Sequence, residues 1–315
     1  MALYFSRAPQ PNIFDINLHL ERALMKLKQS ITAWFFMTPF ILVAFMFLVA
    51  PLGYALYLST QTDTLVGGVE FVGIENYIAT LADPIFLEGV KRVFFFGLIQ
   101  IPIMLAFSTI GALMIDVFNT RLAKTFRLIA FMPYAVPGVV AALMWGFLYS
   151  KSFGPFVGIF ESIGFDGFNF FTPAVFIYSM SNIITWAWTG YNMIIIYSAL
   201  QGLPREMYEA AIVDGANQRQ IALRVKLPAV KNAILLTAIF AIIGTMQIFT
   251  EPRILSRYTN AVSLGYTPNI YSFNLAFNQS QFNYSAAVSF TLAIVIFVIT
   301  ALVLAFTRRK ARSAA

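Results

Sequence analysis

Long uncharged stretches alternate with short charged ones along the chain, and this pattern predicts membrane-spanning helices. A charged side chain at mid-bilayer costs at least about 2.5–3.5 kcal/mol, so each span has to fit between flanking charges. Each of the uncharged windows can hold one helix of about 20 residues. We predict six spans, at about 31–58, 93–115, 126–149, 174–199, 233–250 and 286–306. The predicted fold class is therefore an all-α polytopic membrane protein.

The first 30 residues precede the first span and carry a helical pattern of their own. Apolar residues recur at helical spacing with charged residues between them, which predicts an amphipathic helix on the inner membrane surface. A solvated arm is the equal alternative. No short apolar run with a small-residue cleavage site precedes the first span, so we expect a cytoplasmic arm over 1–30 and no cleaved signal peptide. The apolar positions are Ile16, Leu20, Leu24 and Leu27.

Three other segments lie outside the spans. Residues 258–285 are uncharged but rich in Asn, Gln, Ser and Tyr, which indicates an external re-entrant or interfacial stretch. Residues 200–232 form the one long internal loop, and 307–315 a basic tail. We expect the membrane domain of spans and loops to cover 31–306.

The distribution of Lys and Arg predicts the orientation. Of the 21 basic residues, 16 fall in the N-terminal arm, the second loop, the fourth loop and the tail, and five fall on the opposite side. Basic residues in short loops are retained in the cytoplasm. Both termini of this multi-pass protein are therefore predicted to be cytoplasmic.

Composition excludes several classes of protein. The chain is 59% hydrophobic and 11% charged, whereas a soluble globular protein carries about 25% charge. It contains no Cys and one His, His19, so thiol catalysis, disulfides and His or Cys metal sites lack their residues. We expect no functional role for His19. The net charge of +7 is dispersed among loops, which argues against a nucleic-acid partner.

The spans also lack the groups that energise transport. Ion-coupled transporters need ionisable side chains within the membrane, and here Asp116 and Glu251 lie only at span edges. No phosphate-binding G-x-x-x-x-G-K-[ST] loop and no H-E-x-x-H or G-x-S-x-G motif occurs. We therefore expect a chain that is not an enzyme, holds no cofactor and depends on another subunit for energy.

The internal loop 200–232 is predicted to form a compact helix, turn and helix. Pro204 fits a first helical turn, and Glu206 and Glu209 follow where the helix dipole favours negative charge. Asp214-Gly215 ends this helix, and a second runs from about 217 to 225 before Pro228.

Residues Glu209–Pro228, EAAIVDGANQRQIALRVKLP, resemble the EAA signature of the inner-membrane permease subunits of binding-protein-dependent ABC importers. The spacing of Glu-Ala-Ala, Gly215, Val225 and Leu227-Pro228 matches that signature. The resemblance implies the type I permease architecture of ABC importers and a place in a bacterial inner membrane.

Other segments resemble the carbohydrate branch of maltose and glycerol-3-phosphate type permeases. They are Phe71–Tyr77, Arg127–Trp145 and Phe277–Ser289. The chain departs from the pattern of this branch at Lys91-Arg92, where Asn-Thr is common, at Ala222, at Asn232 and around 257–260. These departures weaken assignment to one substrate subgroup.

The resemblance implies a set of partners. They are a second permease, homologous or identical, two cytoplasmic ATPase subunits that bind ATP and Mg, and an extracytoplasmic binding protein that delivers a sugar. In such permeases the signature loop forms coupling helices that seat on the ATPase. The residues that would make this contact here are Glu209, Ala210, Ala211, Asp214 and Gly215.

A polar face of the fourth span, which also includes Ser179, suits a sugar. Resemblance to maltose-type permeases maps substrate positions onto three residues of this face, Trp186, Gly190 and Met193, and onto the fifth span. The fourth-span candidates are Asn182, Trp186, Thr189, Gly190 and Met193. The fifth-span candidates are Gly244, Thr245, Gln247 and Ile248. The alternative is that these residues pack helices together. Since no cation lies mid-span, a neutral sugar fits better than an anion.

Three other functions stay open. The chain could be a secondary sugar transporter without an ATPase, an ABC permease for a glycerol phosphate or an anionic saccharide, or a non-transporting scaffold. Prolines in or beside the spans are predicted to kink them and are hypothesised to act as pivots. They are Pro39, Pro51, Pro102, Pro133 and Pro137.

Overall fold

The computed structural model describes residues 25, 28, 32–64, 67–117, 121–165 and 167–312. Most of the predicted amphipathic arm, including His19, lies outside the described residues, as do the last three residues of the tail. The described part is mostly helical and divides into two compact units, residues 1–57 and 58–315.

The first unit consists, in its described part, mainly of one long apolar helix. This helix, α1, covers Thr32–Ser59 and includes a π-helical segment at Phe45–Val49. Its large side chains are exposed, with Phe35 at 73% and Phe36 at 75%. A helix that is apolar on all sides and exposes such side chains is suited to lipid contact.

The second unit opens with a β-hairpin. Strand β1 (Gln61–Thr64) pairs antiparallel with β2 (Gly68–Phe71), and Gln61 lies opposite Phe71. The Asn76 amide donates to the carbonyls of Ser59 (3.0 Å) and Gln61 (2.7 Å) and thereby fixes the start of the hairpin. The all-α prediction missed these strands because four residues are too few to show a clear two-residue alternation.

Helices make up the rest of the second unit. In chain order they are α2 (Glu75–Ala82), α3 (Pro84–Val117), α4 (Arg121–Ala135), α5 (Gly138–Leu148), α6 (Pro155–Ser162), α7 (Pro173–Gln201), α8 (Glu206–Val213), α9 (Gln218–Gln220), a π-helical segment π1 (Ile221–Lys226), α10 (Leu227–Ala229), α11 (Lys231–Met246), α12 (Thr250–Leu255), α13 (Pro268–Phe277) and α14 (Phe282–Arg312).

Four helices in the described part of the chain are long and apolar enough to cross a membrane, or five if one bent pair counts as a span. They are Thr32–Ser59, Pro84–Val117, Lys231–Leu255 and Phe282–Thr307, with the bent pair at Ala123–Ala135 and Gly138–Leu148. The predicted fourth span coincides with α7, a continuous helix of 29 residues. Its Ser, Thr, Asn and Tyr residues lower its hydropathy, so it falls outside that count.

The predicted third span is sharply bent. Helices α4 and α5 meet at 96°. Pro137 lacks a backbone N–H and forces the preceding residue, Val136, away from helical geometry, so the helix breaks at this point. Pro102 and Pro133 lie inside α3 and α4. Their proposed action as pivots stays a prediction.

The core of the second unit lies where α3, α5, α7, α13 and α14 meet. Phe86, Phe96 and Phe176 are each at most 2% exposed, and Trp145 is 8% exposed. The predicted external stretch 258–285 contributes α13 to this core through Ile270. These contacts hold α3, α7 and α11 around the candidate site.

Candidate functional site

A cavity of about 210 Å³ opens among α3, α7, α11 and the chain that follows α11. Its lining combines aromatic rings with amide and hydroxyl groups. The lining side chains that can contact a ligand through rings or polar atoms are Gln100, Trp188, Tyr191, Asn192, Phe240, Thr245, Gln247, Phe249, Thr250 and Glu251.

Two buried amides and one hydroxyl form the polar wall of the cavity. Gln100 is 1% exposed, Asn192 3% and Thr245 6%. The Thr245 hydroxyl donates to Gln100 Oε1 at 3.4 Å. Both amides also donate to the Met104 sulfur, Gln100 at 3.3 Å and Asn192 at 3.5 Å. A thioether is a weak acceptor, so these amides can exchange that bond for one to a ligand hydroxyl.

The floor of the cavity is a break in a helix. Helix α11 ends at Met246 and α12 begins at Thr250, so the intervening residues leave the helical hydrogen-bond pattern. Side chains at the start of α13 satisfy the freed carbonyls: Thr267 donates to Ile248 at 3.1 Å and Asn269 to Gln247 at 2.7 Å. Irregular backbone within a membrane requires such partners, so α13 holds the break in one geometry.

All four predicted fifth-span residues line this cavity: Gly244, Thr245, Gln247 and Ile248. The five predicted fourth-span residues are not among its lining residues. The structure therefore brings the fifth-span candidates together around one space and places the fourth-span candidates against neighbouring helices.

Gly190 and Met193 lie where α7 contacts other helices. A β-carbon on Gly190 would overlap the carbonyl oxygen of Ala130, so the backbones of α7 and α4 approach as closely as glycine allows. Met193 is 2% exposed, and its sulfur would lie 2.9 Å from a β-carbon at Gly111.

The other three fourth-span candidates also have partners within the chain. The Asn182 amide donates to the Tyr149 hydroxyl at 2.7 Å, and the Trp186 ring meets Trp145 edge to face at 5.7 Å. The Thr189 hydroxyl donates to the carbonyl of Thr185 on its own helix. These contacts resemble helix packing, which the sequence left as the alternative.

The sequence did not single out Gln100, Trp188, Tyr191 or Asn192. Trp188, Tyr191 and Asn192 lie on α7, and each is next in sequence to a residue of the predicted polar face. The sequence does contain a signal for Gln100, because it is an amide in an otherwise apolar span. Polar residues within a span face protein or water rather than lipid.

The internal loop forms helices, as its pattern predicted. Helix α8 runs from Glu206 to Val213, and the turn after it places Gly215 at φ +79°, a left-handed conformation that glycine adopts without strain. Asn217 then starts the next helix with a capping box to Gln220. That helix widens into π1 and continues to Ala229, beyond the predicted end at 225.

The predicted coupling residues lie on the surface of this loop. Glu209, Ala210, Asp214 and Gly215 are exposed and Ala211 is half-buried. Two apolar neighbours are exposed with them, Val213 at 86% and Ile212 at 55%. An exposed pair of branched aliphatic residues beside small ones provides a surface that another protein can cover.

Several curated relatives of the chain are sugar transport permeases by name. It is 29% identical over 288 residues to the lactose transport system permease protein LacF of Rhizobium radiobacter, with 89% of this chain and 95% of LacF covered. It is 28% identical over 275 residues to the diacetylchitobiose uptake system permease protein NgcF of Streptomyces coelicolor, with 83% of this chain and 78% of NgcF covered.

A solved structure shares the fold. A chain of the bacterial alginate ABC transporter, crystallised with its alginate pentasaccharide-bound periplasmic protein, matches with a TM-score of 0.79 at 20% identity. The match covers 91% of this chain and 98% of that one. The family model described as the inner membrane component of binding-protein-dependent transport systems matches residues 108–312. The chain belongs to this family and is a component of a transporter rather than an enzyme.

Proposed function

We propose that the chain is the permease subunit of an ATP-driven importer and that a sugar or oligosaccharide crosses the membrane along the cavity between α3, α7 and α11. The observation that carries this proposal is the lining of that cavity, where the buried amides Gln100 and Asn192 lie beside the rings of Trp188 and Tyr191. Amides bind sugar hydroxyls, and aromatic rings stack on the apolar faces of sugar rings.

The charge of the cavity favours a neutral substrate. Its described lining residues include one carboxylate, Glu251, and no Lys or Arg. A buried anion normally needs a cationic partner. The names of LacF and NgcF, which refer to lactose and diacetylchitobiose, agree with a neutral saccharide, whereas the alginate transporter that shares the fold imports an acidic one. A glycerol phosphate or an acidic saccharide is the alternative substrate, for which a second permease would have to supply the cations.

The four fifth-span residues, Gly244, Thr245, Gln247 and Ile248, are proposed to contact the sugar directly. The fourth-span residues do not line the cavity and are proposed to act on the path by setting the position of α7, which carries Trp188 and Asn192 into the cavity. The proposed fourth-span set is Asn182, Trp186, Thr189, Gly190 and Met193.

The architecture proposed for the membrane has six spans. The bent pair α4 and α5 would count as one, and α7, at 29 residues, is long enough to be another. Polar side chains on α7 suit a span that faces a transport path rather than lipid. The distribution of basic residues supports cytoplasmic termini and a cytoplasmic loop 200–232.

That loop is proposed to seat on an ATPase subunit through Glu209, Ala210, Ala211, Asp214 and Gly215. Two such ATPases would bind ATP and Mg, a second permease would complete the path, and an extracytoplasmic binding protein would deliver the sugar. The exposure of α8 and of the turn at Gly215 supports this contact.

Competition for uptake tests the substrate class. Cells that depend on this chain for import would receive a labelled neutral oligosaccharide together with unlabelled neutral or acidic saccharides. The proposal predicts competition by neutral saccharides and little by acidic ones. Uptake that an acidic saccharide blocks better than every neutral one would contradict the neutral class, and uptake that continues without any ATPase subunit would contradict the ABC mechanism.

A further inference from the structure

Asp116 and Lys226 form a buried ion pair between two distant parts of the chain. The Lys226 ammonium lies 2.5 Å from Asp116 Oδ2, and each side chain is 8% exposed. In the part of the chain that the structure describes, this is the only ion pair between side chains. Asp116 belongs to the last turn of α3, whereas Lys226 ends π1 in the cytoplasmic loop.

Two more elements meet at this pair. The Gln201 amide, at the end of α7, donates to the second carboxylate oxygen of Asp116 at 2.7 Å. The Lys226 ammonium also lies 4.8 Å from the ring centre of Tyr208 on α8, a cation–π distance. The pair thus joins α3 and α7 to both helical parts of the loop.

Tyr208 completes the cluster as a neutral donor. Its hydroxyl donates to the carbonyl of Leu200 at 3.4 Å. Burial, and then the negative charge of Asp116, raise the pKa of Tyr208 above its ordinary value.

The π-helical segment directs Lys226 toward α3. At its end the Leu227 N–H donates to the carbonyl of Ala222, five residues back, instead of to the residue four back. One extra residue in a turn rotates the following side chains round the helix, and such segments are frequent at functional sites. The signature specifies no residue type between Val225 and Leu227, so it does not account for Lys226.

Each charge of the pair needs the other. An acidic side chain in the last turn of a helix is repelled by the helix dipole, which puts Asp116 at a disadvantage without a cation. Removal of either partner would leave a buried uncompensated charge, which is far more costly than the loss of an exposed pair. The loop therefore cannot move away from α3 and α7 without an energetic penalty.

We propose that Asp116 and Lys226, with Gln201 and Tyr208, are positioning residues that transmit movement of the cytoplasmic loop to α3 and α7 during transport. None of the four lines the substrate cavity. The inference rests on the proposed coupling to an ATPase and adds the connection from the docking surface to the helices that bound the path.

Single and exchanged charges test this inference in the assembled transporter. Lys226→Met and Asp116→Asn are expected to lower uptake on the order of tenfold, a typical size for a coupling effect, and to reduce the stimulation of ATP hydrolysis by sugar-loaded binding protein. The ATPase should still copurify with both variants. The exchange Asp116→Lys with Lys226→Asp restores the pair and should recover most of the uptake and of the stimulation. Lys231→Met, at an exposed lysine five residues later, is the matched control and should change neither.

Different outcomes separate this inference from the proposed function. Wild-type uptake and stimulation in Lys226→Met would overturn the inference, and so would an exchange variant that assembles normally but stays as inactive as the single variants. If a single variant fails to assemble, the exchange variant alone decides the matter. Failure of the wild-type chain to bind an ATPase would instead overturn the proposed function.

Discussion

Gly190 on α7 lies directly against the carbonyl oxygen of Ala130 on α4. That oxygen occupies the space where a β-carbon on residue 190 would lie. Small residues at helix contacts allow backbones to approach closely within a membrane. The contact fixes α7 beside α4, and α7 carries the Trp188 and Asn192 side chains that line the cavity.

Gly190→Ala should destabilise the protein because its methyl group would force α7 and α4 apart. Overpacking of this kind costs about 1–3 kcal/mol. The thermal unfolding midpoint of the purified transporter should fall. Gly244→Ala is the matched control, since a β-carbon there meets nothing within 4 Å, and it should leave the midpoint unchanged or slightly raised. Equal midpoints for both variants would contradict the proposed packing.

Gly244→Phe should close the substrate path without unfolding the protein. The added ring has open space to enter, and that space is the cavity. Transport of sugar should be abolished while assembly with the ATPase is retained, as measured by uptake and copurification. Normal uptake by a correctly assembled Gly244→Phe transporter would show that the sugar takes another route.

Thr245→Val and Gln100→Leu should weaken sugar recognition. Each removes a group that can hydrogen-bond the sugar, worth about 0.5–1.5 kcal/mol, so the apparent KM should rise about two- to tenfold. Thr237→Val is the matched control on the same helix. The Thr237 hydroxyl is equally buried but donates to the carbonyl of Ile234, away from the cavity. An equal KM increase in Thr237→Val would point to a general effect on α11.

Gly215→Val should disrupt the proposed docking surface of the loop at 200–232. A branched residue in the left-handed conformation at Gly215 costs roughly 1–2 kcal/mol, so the turn after α8 would rearrange. The ATPase should copurify poorly and uptake should fall, with normal insertion into the membrane. Gly202→Val is the control, because Gly202 is exposed and has an ordinary φ of −82°. ATPase binding that survives Gly215→Val unchanged would argue against docking at this turn.

The general plan of the fold could be predicted from the sequence because charge and apolar length constrain membrane helices strongly. The same holds for the loop at 200–232, where proline, glycine and the acidic first turn mark the ends of α8. The family, too, was evident from the signature at Glu209–Pro228 and is confirmed by the family match.

Other features depend on contacts between distant residues, which periodicity does not reveal. Helical spacing identified a polar face on α7 but could not show which helix packs against that face. In the structure Gly190 faces α4, whereas Asn192 lines the cavity. Arg92, a departure from the carbohydrate-branch pattern, donates to the carbonyl of Tyr266 at 2.9 Å and stacks on its ring. The Asp116–Lys226 pair likewise joins residues 110 positions apart.

Transport in reconstituted vesicles is the most direct test of the proposed function. The chain would be placed in proteoliposomes with the proposed second permease and ATPases, with sugar-loaded binding protein on one side and ATP and Mg on the other. An ATP-driven importer should accumulate a labelled neutral saccharide only when ATP and the binding protein are both present, and Gly244→Phe should abolish this accumulation. Accumulation driven by an ion gradient without ATP would contradict it.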